Sequence, residues 1–153
     1  MKFLENKIPP PLVALLTAAG MWWLSTLTPL ITLTSTIKMA LVAVFTLSGA
    51  FFALAGAVSF RLAKTTVNPL KPDTASSLVT SGIYQFSRNP MYVGFVAFLF
   101  AWTSYLESAW GVALIAVYVA YIQRFQIMPE ERALIKIFKD EFINYKKQVR
   151  PWL

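Results

Sequence analysis

The sequence predicts an all-α integral membrane fold: four transmembrane helices, a cytoplasmic loop between the second and third, and a C-terminal amphipathic helix on the same face. Three observations predict it. The 153-residue chain is 57% hydrophobic and only 14% charged, too little polar surface to cover itself in water. Four stretches, 12–33, 39–60, 91–106 and 108–123, carry no charge at all. Of the 14 Lys and Arg residues, 13 fall on one side of those four stretches.

The first two runs are 22 residues each, which at about 1.5 Å per residue crosses a hydrocarbon core of about 30 Å. The first opens on Pro9-Pro10-Pro11, is too long for a cleaved signal and lacks a small-residue cleavage pattern, so it is expected to belong to the mature protein. In the second, Gly49, Ala53 and Ala57 recur at helical spacing, as close helix packing requires. The third and fourth runs have 16 residues each, separated by Glu107. They are short, and cross if Arg88 and Arg124 snorkel to one interface while Leu106-Glu107-Ser108 turns in the opposite headgroup region.

Lys2 and Lys7 precede the first span, Arg61, Lys64, Lys71 and Arg88 lie between the second and third, and seven more cations follow the fourth. Lys38 alone lies opposite. The excess of cations orients both termini and the 61–90 loop to the cytoplasm. The net charge of +7 is thus a topology signal. The cations are dispersed around helix ends and no base-stacking module accompanies them, so anionic membrane lipid, and not nucleic acid, is the expected partner. The whole of 1–153 reads as a single membrane domain without internal repeats.

From Pro129 to Val149 the pattern changes. A proline suited to a helix start is followed by Glu130 and Glu131, where the helix dipole favours negative charge. Leu134, Ile137, Phe138, Phe142, Tyr145 and Val149 step by three or four, with Lys and Arg around the rest of the circumference. This predicts a basic amphipathic helix over 129–149, lying on the membrane surface.

With no cysteine and no histidine, disulfides, thiolate nucleophiles, imidazole bases and the usual zinc ligand sets are excluded. Any chemistry must use carboxylates, guanidinium, amines, hydroxyls and backbone, and no metal is expected. The polar stretch between the second and third spans is where such groups collect. It contains Thr65, Thr66, Asn68, Pro69, Lys71 and Pro72, then Leu78-Val79-Thr80-Ser81-Gly82-Ile83-Tyr84, then Arg88-Asn89-Pro90-Met91-Tyr92. Prolines 69 and 72 hold the backbone extended, Gly82 permits a turn, and Pro90 fits the first turn of the third span. Arg88 and Arg124 end spans on the same side as Glu130 and Glu131, so two guanidiniums and two carboxylates are expected to converge in one interfacial pocket. Taken alone, a cation at a helix end such as Arg88 reads first as an ordinary snorkelling anchor.

The run Leu-Val-Thr-Ser-Gly-Ile-Tyr at 78–84, Ser-Arg-Asn-Pro-Met-Tyr-Val-Gly at 87–94, and Glu-Glu-Arg-Ala-Leu at 130–134 with Phe138, Tyr145 and Val149 resembles the isoprenylcysteine carboxyl methyltransferase family. The likeness covers roughly residues 60 to 153, and the related phospholipid N-methyltransferases share the architecture. The resemblance implies transfer of a methyl group from S-adenosyl-L-methionine to a lipophilic or small acceptor at the membrane interface. The polar stretch would then be a cytoplasmic cofactor loop. Leu78, Val79, Tyr84, Asn89, Pro90, Met91, Tyr92 and Glu130 match cofactor-contacting positions; Glu131 either does the same or only begins the helix. Arg88 and Arg124 are the implied catalytic residues. Arg88 would orient an acidic acceptor, since a guanidinium holds a carboxylate bidentately. An arginine shortly before the paired glutamates contacts the acceptor in the prenylcysteine enzymes; register puts Gln126 there and Arg124 two positions earlier.

Three positions depart from the family pattern: Asn89 stands in place of histidine, Lys139 in place of a common glycine, and Phe142 in place of a common tyrosine. The first resembles short bacterial members, which implies a bacterial inner membrane and an acceptor that need not be a prenylated cysteine. Two other classes fit four apolar helices. A non-enzymatic transporter or assembly subunit would ordinarily carry an ionisable group within a span, and these spans have none. A sterol-reductase-like oxidoreductase would bind a nicotinamide cofactor instead.

Overall fold

The structure is a computed structural model that describes residues 5–63 and 77–153. Lys2 and the 64–72 positions singled out above, Pro69 and Pro72 among them, lie outside the described residues. Helices account for nearly all the regular structure, and no strand occurs among the described residues. In order they are α1 (Pro10–Ser25), α2 (Ser35–Leu62), α3 (Pro90–Leu106), α4 (Trp110–Ile122) and α5 (Met128–Gln148). A short 3-10 turn occupies Gly82–Gln85, and the π-helical turn Gln123–Ile127 joins α4 to α5.

The first run is not helical throughout. α1 has Pro10 and Pro11 in its first turn and stops after 16 residues at Ser25. The hydroxyls of Ser25, Thr26 and Thr28 donate to the carbonyls of Trp22, Trp23 and Leu24 at 2.7–2.8 Å, satisfying acceptors that a continuing helix would have used. Pro29 follows, and a proline lacks the N–H to prolong the ladder. Residues 29–34 are non-helical and cross the end of the bundle over Glu107. That residue is the left-handed C-cap of α3, with φ 54°. Its carbonyl accepts from Ile31 N at 2.7 Å, its Oε1 from Leu33 N at 3.1 Å, and its Oε2 pairs with Lys38 at 3.4 Å. The Lys38 cation and the Glu107 turn therefore occupy the same end of the bundle.

α2 is longer than its apolar run. It extends over 28 residues from a Thr34 cap, whose hydroxyl accepts from Ile37 N. α2 and the continuous helix from Trp110 to Gln148 are long and apolar enough to cross a membrane, whereas α1 and α3 are shorter apolar helices of 16 and 17 residues. α3 is central, packing on α2, α1 and α4. A side chain carbon on Gly94 would come within 2.9 Å of the Gly49 carbonyl, and one on Gly56 within 2.7 Å of Met91. The close face of α2 is therefore Gly49, Ala53 and Gly56. Ala57, expected on that face, is exposed, because a residue eight positions from Gly49 has rotated off it.

Met21, Tyr92, Leu99, Ile115, Tyr118 and Ile122 meet in the core. The outward faces of α1 and α2 leave the large apolar side chains of Leu15, Leu16, Leu47, Phe51 and Leu54 uncovered. Trp22, Trp23, Tyr105 and Trp110 are exposed near the Glu107 end, the arrangement of an interfacial aromatic belt.

Pro129 does not start a separate helix. The helix runs on through it from α4, and the π turn directly before it is the adjustment that accommodates the proline. Pro129 has no N–H for the Phe125 carbonyl, and that carbonyl accepts from Asn6 N at 3.0 Å. A second irregularity falls at Lys139, where φ 46° and ψ −121° break α5 internally.

Candidate active site

The end of the bundle opposite Glu107 gathers the start of α3, the end of α2, the π turn and α5. Ser77 Oγ donates to the Ala63 carbonyl at 3.1 Å, fastening the returning chain to the end of α2. Gly82 has φ 63°, a left-handed conformation open to glycine at little cost, and it lets the chain enter the 3-10 turn that buries Tyr84. The Tyr84 ring meets Phe60 edge-on at 5.3 Å, and its carbonyl accepts from the Tyr145 hydroxyl at 2.6 Å. Val79 is buried and Leu78 half-buried.

Ser87 to Asn89 then turn into α3. Ser87 is fully buried; its Oγ donates to the Pro151 carbonyl at 3.3 Å and accepts from Asn89 N at 3.1 Å. Asn89 donates its side-chain amide to the same Pro151 carbonyl at 2.9 Å. Pro90 occupies the first turn of α3, with Met91 against Gly56.

Glu130 lies at the centre. Its Oε1 accepts from the Tyr92 hydroxyl at 2.7 Å and from Gln126 Nε2 at 2.6 Å. Desolvation raises its carboxyl to about 7, against the lowering effect of those two hydrogen bonds, with the Glu131 charge adding to the rise. Burial likewise raises the phenols of Tyr84 and Tyr145, with Glu130 adding to the rise at Tyr84 and Arg88 opposing it at Tyr145. One residue on, Arg88 Nη2 pairs with Glu131 Oε1, and Lys146 takes the other Glu131 oxygen. Arg88 Nη1 donates to the carbonyls of Lys146 and Val149. Its Nε–H is buried with no acceptor among the described residues.

Arg88, Glu130, Glu131 and Tyr92 are thus brought together, with Tyr84, Asn89, Pro90 and Met91 around them. Arg124 is not. It turns outward to Glu5 at 3.2 Å, and Glu5 also holds Arg132. The reason is helical: Arg124 and Gln126 are two positions apart and so point to well-separated directions. Gln126 is the buried one of the two, and it faces Glu130. Sequence reasoning placed Gln126 only by register; a polar residue in an apolar run, four positions before a glutamate, was the available signal. It missed Tyr145 as a site residue and gave no sign of Trp152, whose Nε1 donates to Gln123 at 2.9 Å.

The sequence profile of the phospholipid methyltransferase family matches residues 36–141. The chain belongs to that family. Membership in the phospholipid methyltransferase family places it among membrane methyltransferases, and the matched stretch includes Arg88, Tyr92, Gln126, Glu130 and Glu131. An uncharacterized protein of Haemophilus influenzae is 36% identical over 63 residues, which are 41% of this chain and all of that protein. Methanethiol S-methyltransferase 1 of Bradyrhizobium diazoefficiens is 35% identical over 85 residues, 54% of this chain and 29% of that protein. No solved structure matches the chain.

Proposed function

We propose that the chain is an S-adenosyl-L-methionine-dependent methyltransferase acting on a lipophilic or small acceptor at the membrane interface. The observation that carries this reading is Glu130, a carboxylate held by Tyr92 and Gln126 at the polar end of an apolar bundle. The donor set fits the cofactor. Glu130 can receive its ammonium group, the Arg88 Nε–H, buried and without an acceptor among the described residues, can donate to its carboxylate, and the rings of Tyr84 and Tyr92 can face its sulfonium. When bound, S-adenosyl-L-methionine supplies an electrophilic methyl group, and the chain's own task is alignment and exclusion of water.

The topology belongs to the same proposal. Four spans, with both termini, the cofactor loop and the site on the cytoplasmic face of a bacterial inner membrane, are supported by the cations, all of which but Lys38 lie toward the site's end in chain order. At about 24–26 Å, α1 and α3 cross a bilayer that thins locally or admits snorkelling ends.

A carboxylate acceptor, as in isoprenylcysteine carboxyl methylation, needs no base, and Arg88 is the group that would orient it. A thiol acceptor is a second reading. It is favoured by the engagement of both Arg88 terminal nitrogens and of Arg124, which leaves neither of these two guanidinium heads free for an acid. The relative named for methanethiol methylation supports it as well. A thiol must lose its proton, and that step needs a base other than Glu130, whose carboxylate holds the cofactor's ammonium.

The test is calorimetry of the detergent-purified protein with S-adenosylhomocysteine. Binding is expected, and Glu130→Ala should weaken it about 10–100-fold, the loss of one charge-assisted hydrogen bond. Folded protein that binds no S-adenosylhomocysteine would overturn the reading. Mass spectrometry of lipids and small metabolites from cells with and without the protein would then identify the acceptor.

A further inference from the structure

The chain leaves α5 at Val149 in an extended conformation, φ −122° and ψ 137°, and lies across the entrance to α3. The segment entering α3 draws its hydrogen bonds from there. Arg88 N donates to the Arg150 carbonyl at 2.9 Å. Ser87 Oγ and Asn89 Nδ2 both donate to the Pro151 carbonyl, and the Arg88 guanidinium donates to the carbonyl of Val149. Asn89 occupies the N-cap position of α3 but its side chain makes no cap bond to the helix; its amide is committed to Pro151 instead. A residue type that ordinarily caps its own helix is here used to hold a distant strand of chain.

Residues 87–89 have no regular structure of their own, so their conformation depends on these contacts. The acceptors are main-chain carbonyls, which fix position only as far as residues 149–152 are themselves fixed. The side-chain anchor is Trp152. Its ring packs against the hydrophobic core, and its Nε1 donates to Gln123 at 2.9 Å, on the π turn that also carries Gln126.

We infer that residues 149–152 form a strap that sets the geometry of Arg88 and Asn89 for cofactor binding, with Trp152 as the positioning residue that latches it. The inference rests on the methyltransferase reading for its functional half. Its structural half stands on the contacts alone.

The experiment compares wild type, Trp152→Ala and Trp152→Phe in detergent, by amide hydrogen exchange and by calorimetry with S-adenosylhomocysteine. In Trp152→Ala, exchange at 87–89 should accelerate about tenfold and the Kd should rise about tenfold, as the loss of one to two hydrogen bonds implies. Exchange in the middle of α3 should stay at the wild-type rate. Trp152→Phe keeps the ring's packing and loses the bond to Gln123, so both readouts should move in the same direction by a smaller factor. Unchanged exchange at 87–89 in both variants, acceleration spread equally along α3, or faster exchange without weaker binding would each overturn the strap. If wild type binds no S-adenosylhomocysteine, the methyltransferase reading fails and with it the functional half, while the exchange data still decide the structural half.

Discussion

The Tyr92 hydroxyl donates to Glu130 at 2.7 Å, joining the first turn of α3 to the first turn of α5. Two residues 38 positions apart thereby share one proton-bearing contact in a place where burial has already raised the carboxyl to about 7. Gln126 holds the same oxygen from one helical turn below. Everything expected of the site's pH behaviour follows from this arrangement.

An ammonium group is held by the ionised carboxylate and not by the neutral acid. S-adenosylhomocysteine affinity should therefore strengthen as pH rises through about 7, and calorimetry from about pH 6 to about pH 8 should trace that rise. Glu130→Gln should bind weakly with no such pH dependence.

The ligand-free protein should behave in the opposite sense. A carboxyl whose folded pKa of about 7 lies above its ordinary 4.5 binds more protons folded than unfolded, so its stabilising contribution is complete below the unfolded value and is lost as pH rises through about 7. The loss is at most about 3 kcal/mol. Thermal unfolding of ligand-free protein should show wild type losing stability relative to Glu130→Gln across that window; parallel curves would contradict the assignment.

Arg88 and Arg124 should differ sharply on truncation. The Arg88–Glu131 pair has side chains 7% and 12% exposed, whereas Arg124 is 46% exposed. Arg88→Ala leaves Glu131 with Lys146 alone and strands the carbonyls of the strap, a cost of about 2–4 kcal/mol. Arg124→Ala should cost under about 1 kcal/mol. Thermal denaturation in one detergent, run side by side, checks the contrast.

At Lys139 the backbone and the side chain are mismatched. With φ 46° and ψ −121° it holds a conformation that glycine adopts with little strain and a side chain does not. Lys139→Gly should raise stability by about 1 kcal/mol, read as an increase in Tm. A lower Tm would mean that the break is not a strained point.

Much of the fold could be read from the sequence because it rests on local pattern. Uncharged runs locate helices α2, α3 and α4, and Glu107 between two apolar stretches locates a turn. The end of α1 was harder, since Ser25, Thr26 and Thr28 are as compatible with a span as Leu is until their hydroxyls take the last carbonyls. The choice between Ala57 and Gly56 on the close face of α2 turns on one helical position, below what spacing alone resolves. Around the site, Arg88 to Tyr92 could be taken together because they adjoin in the chain. That Arg124 pairs with Glu5, 119 positions away, is a property of the tertiary arrangement, as is the docking of Pro151 on Ser87 and Asn89. Helix continuity through Pro129 was illegible for a different reason. The residue has the same appearance at a helix start as in a helix interior that has been widened to receive it.

That widened turn has a structural return. By withholding one N–H, Pro129 leaves the Phe125 carbonyl vacant within a long helix, and Asn6 fills it. The defect is thus a socket, and the segment around residue 6 is keyed to the junction between the apolar α4 and the charged α5 parts of the same helix. A substitution that repaired the helix there would close the socket and set that segment loose.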